Sequence, residues 1–414
     1  MPRQGSWERK LFEDFSDVYI DETKSIRIQA ENSSQFGEIL TVQRTPIIEL
    51  NSSYGVSLLR DIEVVTGSGN INATALGEIN VATGATAGST AQLDSAEAAR
   101  YIPGYGAEIG MGIRFTDVPT GDQRAIWGGK GVNGTDGIYF MYDALGLAVV
   151  LLTAGVERII RRADWNIDTV DGTGPSGFNL DEAVHGYIYQ IDFTWYGYGG
   201  IKFSVVGTPE GLLQRPIPLH SFTTEDYDST SVRDPNMLVF AEVSNGATAE
   251  DFAVQVGGRQ YSIVGQYKPK FRYTGDVRNT TTITTTPQPL VSFRFKEAFK
   301  NRSVKLDGIN AINSGNNNAF FEVRSGGVLT GASFGTPTNY IPGETAVESD
   351  TTATAITGGS VVYPIQAVPT AKDSQFSFLT LDLDLPALST FTLVAYTLSG
   401  TTDVISGMQI REEW

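Results

Sequence analysis

The chain is most legible where apolar and polar positions alternate. At 187–195 (YIYQIDFTW), Tyr187, Tyr189, Ile191, Phe193 and Trp195 fall on one side of an extended backbone. Ile188, Gln190, Asp192 and Thr194 fall on the other, a period of two that predicts a half-buried strand. GIYFMYD at 137–143 follows the turn dipeptides Asn133–Gly134 and Asp136–Gly137, as the second arm of a hairpin does. IKFSVVG (201–207), MLVFAEVS (237–244) and DFAVQVGG (251–258) continue the series, and GLAVVLLTAG (146–155) reads as a buried strand too short to cross a bilayer. No amphipathic helix interrupts them. A second series follows from 289: PLVSFRF (289–295), FSFLTLDLDLP (376–386), FTLVAYTL (391–398), and the closing VISGMQIREEW.

This pattern predicts an all-β protein with two antiparallel β-sandwich, jelly-roll-like domains. Residues 1–40 are too polar to make their own core and read as an extended N-terminal arm or docking segment. The first sandwich spans 41–274, with a Gly/Ala/Thr-rich loop at 66–95. The Thr/Pro-rich run 275–289 reads as a linker, and 290–414 as the second sandwich. By composition, 308–318 and 341–360 read as loops.

Composition narrows the chemistry. The net charge of −17 argues against a nucleic-acid partner, which needs a lysine and arginine footprint. Zero cysteines exclude disulfides, thiolate catalysis and sulfur-ligated zinc. The first residues lack the apolar core of a signal peptide, so the expectation is a protein made in the cytoplasm without a membrane partner. Asn-x-Ser/Thr triplets at Asn32, Asn51, Asn72, Asn133, Asn279 and Asn301 would matter only in a glycosylating compartment.

The stretch 165–182, WNIDTVDGTGPSGFNLDE, contains a literal GxGxxG. A dinucleotide site also needs a helix starting at the glycines and an acid about twenty residues on. Asp192 lies at that distance, but it sits within the alternating strand. Only FNLDEAVHG separates Gly177 from Tyr187, and Pro175 opposes a helix there. Asp164, Asp168, Asp171 and Asp181 do not fall at EF-hand spacing. His185 and His220 are the only histidines, too few for a typical zinc site. Ser176 lies in a Pro-Gly turn rather than a nucleophile elbow. The pairs Asp382/Asp384 and Glu412/Glu413 read as a solvent face and a terminal tail, not as a facing glycosidase dyad. No catalytic residue, cofactor or metal ligand is therefore expected. Trp165, Trp195, Tyr196 and Tyr198 are the candidates for stacking on a sugar, against a reading of the same rings as core and sheet-edge residues.

YFMYDALGLAVV, then ADWNIDTVDGTGPSGFNLDEAVHGYIYQIDFTWYGYGGIKFSVV, then PNMLVFAEVSN resembles a β-sandwich module of virion structural proteins of tailed bacteriophages and some large DNA viruses. PLVSFRF, FFEVRSGGVLTGASFGTP, ATAITGGSVV and YTLSGTTDVISGMQIREEW resemble the C-terminal companion of that module. Together they cover about residues 96–270 and 289–414. The resemblance implies a non-enzymatic protein of the capsid, baseplate or fibre, assembled in the host cytoplasm and carried in the virion. Its partners would be other virion proteins and copies of itself, with host-surface glycan as the alternative. It supplies no functional residues, and the shared loop 166–181 reads as conserved shape.

Overall fold

In the computed structural model, period-two alternation becomes antiparallel strand throughout. The structure describes residues 44–414 except 58, 184, 210–212, 266–270, 301, 339, 342, 369–371, 378–382, 387–388 and 414; before residue 44 it describes the strands Val18–Ile20 and Ile26–Ile28. Those two strands pair antiparallel within a separate unit, Met1–Gln43. The docking role expected of 1–40 otherwise lies outside the described residues. The remainder, Arg44–Trp414, forms one compact unit with two large hydrophobic cores. Among the described residues the only helical elements are single 3-10 turns, so the architecture is all-β and sandwich-like, as the alternation predicts.

The first core lies between an eight-stranded and a seven-stranded sheet. In the larger sheet Tyr187–Phe193 pairs with Ile201–Gly207 on one side and Gly106–Phe115 on the other, and Gly106–Phe115 pairs in turn with Ala253–Val264. Ala107, Ile109, Met111, Ile113 and Phe115 point inward, opposite Tyr189, Ile191 and Phe193. In the seven-stranded sheet Gly137–Asp143 lies between Gly146–Thr153 and Arg124–Gly131. Trp127, Phe140, Tyr189 and Phe203 meet between the sheets at centroid distances of 4.9 to 5.7 Å. Offset and edge-on ring pairs at this spacing stabilise beyond their buried area.

The second core lies between a four-stranded sheet (Arg272–Ile283, Thr402–Glu413, Ser303–Asn313, Lys372–Ser377) and a five-stranded one (Val347–Asp350, Gln288–Phe295, Thr390–Thr397, Ala319–Ser325, Ser360–Val368). Here several expectations are corrected. Most of the expected linker is the strand Arg272–Ile283, paired along Thr402–Glu413; its threonines are β-branched and suit a strand better than a tether. The expected loop 308–318 begins as the end of the strand Ser303–Asn313, which puts Ile309 and Ala311 in the core. Strands Val347–Asp350 and Ala355–Thr357 lie inside the expected loop 341–360. The run 66–95 holds three strands, Asn70–Ala73, Ile79–Ala82 and Thr90–Ser95. Glu412 is no terminal tail: it is fully buried, with Thr345 Oγ1 and the Ala346 N–H each donating to it at 2.7 Å. Asp384 pairs with Lys305 at 3.4 Å, while the 378–382 part of the expected alternating strand lies outside the described residues.

Candidate functional site

The glycine-rich stretch is a lashed corner. The Asp168 carboxylate, 4% exposed, accepts the Val170 N–H and the Ser176 N–H, each at 2.8 Å, and so holds both sides of the turn at once. Asp171 accepts the N–H and hydroxyl of Thr173, which hold its carboxyl down to about 2. Asp171 and Asn179 form an isolated bridge, with Gly172 N–H donating to the Phe178 carbonyl and Leu180 N–H to that of Val170. Arg162 clasps the base, donating to the carbonyls of Thr169 (2.7 Å), Val170 and Leu180 and to Glu182. Asn166 exchanges amide bonds with the Ser221 backbone.

Two of the glycines meet the expectation of special backbone angles, Gly172 at φ 86° and Gly177 at φ 63°. Gly174 is needed for a different reason: a Cβ there would overlap the Asp168 carboxylate, coming within 2.8 Å of its Cγ. Val170, buried and β-branched, takes φ 45°, a strained conformation for such a residue. The glycines therefore make a corner, and no helix follows them.

The four aromatic candidates do not form one platform. Trp165 is 6% exposed and donates its indole N–H to the Ile160 carbonyl at 3.2 Å. Trp195 packs on the first core and donates to the Val232 carbonyl at 2.9 Å. Both indole N–H groups are taken up by backbone carbonyls of the fold. Tyr196 and Tyr198 are exposed. His220 accepts the Asn166 N–H on Nδ1, and burial holds it below the ordinary histidine range. His185 lies edge-on to Tyr187. The Ser176 hydroxyl accepts the Phe178 N–H within the turn. Among the described residues no three His, Asp or Glu side chains gather as a metal-binding group.

The outward face of the eight-stranded sheet gathers polar groups that the sequence reading did not single out. Glu108 and Asp192 are register partners on adjacent strands. Gln260 donates to Glu108 at 2.8 Å, Arg44 reaches it at 2.5 Å, and Lys202 pairs with Asp192 at 3.2 Å. Burial first, and the Asp192 charge second, push Glu108 up to about 7 despite Arg44. The signal was available: in YGAEIGMGIRF the inward set Ala107, Ile109, Met111, Ile113 forces Glu108, Gly110 and Gly112 outward.

Beside this pair runs a groove of about 770 Å³. Its floor includes Gly110, Gly112 and Gly258, and its walls include Gln190, Gln260 and Tyr54. The absence of side chains at the glycines opens it. Arg259 also lines the groove. It is paired with Asp61 at 2.5 Å, yet its Nε and Nη1 have no acceptor among the described residues.

No family model matches the chain, and no curated protein matches it. Among solved structures, a Bacillus licheniformis β-glucanase is 14% identical, with 53% of this chain and 98% of that one covered at a TM-score of 0.34. A Shewanella oneidensis MR-1 protein of unknown function is 12% identical, with 65% and 99% covered and a TM-score of 0.34. The carbohydrate recognition domain of Emp46p is 11% identical, with 53% and 98% covered and a TM-score of 0.32. These names describe those proteins, and likeness at this level carries nothing about the chemistry of this chain.

Proposed function

We propose that this chain is a non-enzymatic structural protein of a tailed-phage particle, built into the capsid, baseplate or fibre through contacts with copies of itself and with other virion proteins. The observation that carries the reading is the corner at 165–182. Its resemblance is to a virion module, and its acids and glycines are consumed in holding a shape. The lack of cysteine agrees with stability drawn from sheet packing and subunit contacts. Mass spectrometry of purified particles is the test: stoichiometric incorporation is expected, and absence of the chain from intact particles overturns the reading.

The second reading is attachment to host-surface glycan, favoured by the groove on the eight-stranded sheet. Binding fits that face better than cleavage. A glycosidase leaves its two carboxyls free to meet sugar or water across a gap, whereas Glu108 and Asp192, directly opposite each other on adjacent strands, are each engaged by a base, Arg44 and Lys202. Binding of the isolated chain to host cells, without release of sugar, is the expected result.

A further inference from the structure

Ile188 and Gln190 lie opposite Gly112 and Gly110 on adjacent strands, so all four share the outward face of the eight-stranded sheet and line the groove. On the same groove Tyr54 is 89% exposed and Ile188 47% exposed, two apolar surfaces left facing solvent. Gln190, which also lines it, makes a single long bond to Glu108 at 3.5 Å. A half-used amide and bare apolar surface over a glycine floor are what a ligand with hydroxyls on its edge and C–H groups on its face would complete.

Charge selects among such ligands. The charged residues lining the groove are Glu49, Asp61, Arg60 and Arg259, two acids and two bases, and Arg259 is already balanced by Asp61. An incoming carboxylate or sulfate would find no net positive field there. It would also approach a chain of net charge −17 and the neighbouring Glu108–Asp192 pair.

We infer that the groove beside Gly110 and Gly112 binds a neutral, hydroxyl-rich oligosaccharide, with the Gln190 amide meeting its hydroxyl groups and Tyr54 and Ile188 meeting its apolar faces. The inference rests on the glycan reading above and adds the site and the sugar class. The test titrates the full chain with neutral hexose tetrasaccharides and with uronic-acid tetrasaccharides of equal length, by calorimetry, on the wild type and on Tyr54→Ala, Gln190→Ala and Tyr198→Ala. Tyr54→Ala removes only an exposed ring, so it keeps the test open should the more buried Gln190→Ala fail to fold. Neutral sugars are expected to bind at least tenfold more tightly than acidic ones. Tyr54→Ala and Gln190→Ala should each weaken binding about tenfold, and Tyr198→Ala should leave it unchanged. Preference for the acidic sugars, or binding that survives both groove variants, overturns this inference and leaves the glycan reading standing. No binding to either class by the folded wild type overturns both.

Discussion

Asp168 and Gly174 occupy each other's space: a β-carbon on residue 174 would overlap the carboxylate that pins Val170 and Ser176. Gly174→Ala must therefore displace that carboxylate and release two backbone N–H groups, one of them buried. Overpacking of this kind costs about 1–3 kcal/mol. Gly174→Ala and Asp168→Ala should be comparably destabilising, and the double variant little worse than either, because both break one arrangement. Denaturant unfolding of the three variants checks this; additive losses would mean that Asp168 and Gly174 act independently.

Glu412 makes a second such commitment in the other sandwich. It is fully buried, and Thr274, Thr345 and the Ala346 N–H donate to it. These bonds tie the last long strand to Arg272–Ile283 and to the segment before Val347–Asp350. Glu412→Ala would strand several donors in a dry site, a loss of about 3 kcal/mol. Gln409→Ala, exposed on the same strand, serves as the control. A thermal midpoint for Glu412→Ala within a degree of the wild type would show that the buried carboxylate adds nothing.

The contrast between these two residues marks what a sequence discloses. Where strands are built from Ile, Phe, Tyr and Val, as in Tyr187–Phe193, Gly137–Asp143, Ile201–Gly207 and Met237–Ser244, alternation placed them almost to the residue. Strand segments rich in Thr, Asn and Gly, such as Arg272–Ile283 and the end of Ser303–Asn313, resemble loops in composition, because such side chains bond locally as readily as turn residues do. The corner at 165–182 was legible as shape, yet its clamp, Arg162, lies outside the motif and reaches it only through the fold. The groove escaped notice because its floor is made of glycines, which carry no pattern of their own.

Glu108 gives the fold a pH signature of definite sign. Its folded pKa, about 7, is raised above the ordinary carboxyl value of 4.5, so the native state holds a proton that the unfolded chain has already released. Any stability tied to that proton is present below about pH 4.5 and is lost as pH climbs to 7, at no more than about 1.4 kcal/mol per pH unit. Asp94 and Glu242, also raised mainly by burial, act in the same direction. Glu108→Gln removes only the share of Glu108. The wild type should therefore lose more stability between pH 5 and 7 than Glu108→Gln does, as measured by urea unfolding across that range. Identical pH slopes for the two proteins would show that the Glu108–Asp192 pair holds no extra proton.

Arg162 offers the sharpest probe of the corner as a rigid element. Its planar fork serves three carbonyls and Glu182, and a lysine, with one compact ammonium, cannot reach them all in that geometry. Arg162→Lys conserves the charge, so whatever it loses reports the fork. The loss should be about 2 kcal/mol. Hydrogen exchange should localise it, because the Leu180 and Gly172 amides bond across the corner to Val170 and Phe178. Those two amides are expected to exchange at least tenfold faster in Arg162→Lys, while the Phe203 amide, in a strand of the first core, keeps its protection until global unfolding. If the corner is merely a passive connection, Leu180 and Phe203 will instead slow or quicken together, and the shape attributed to residues 165–182 will belong to the sandwich as a whole.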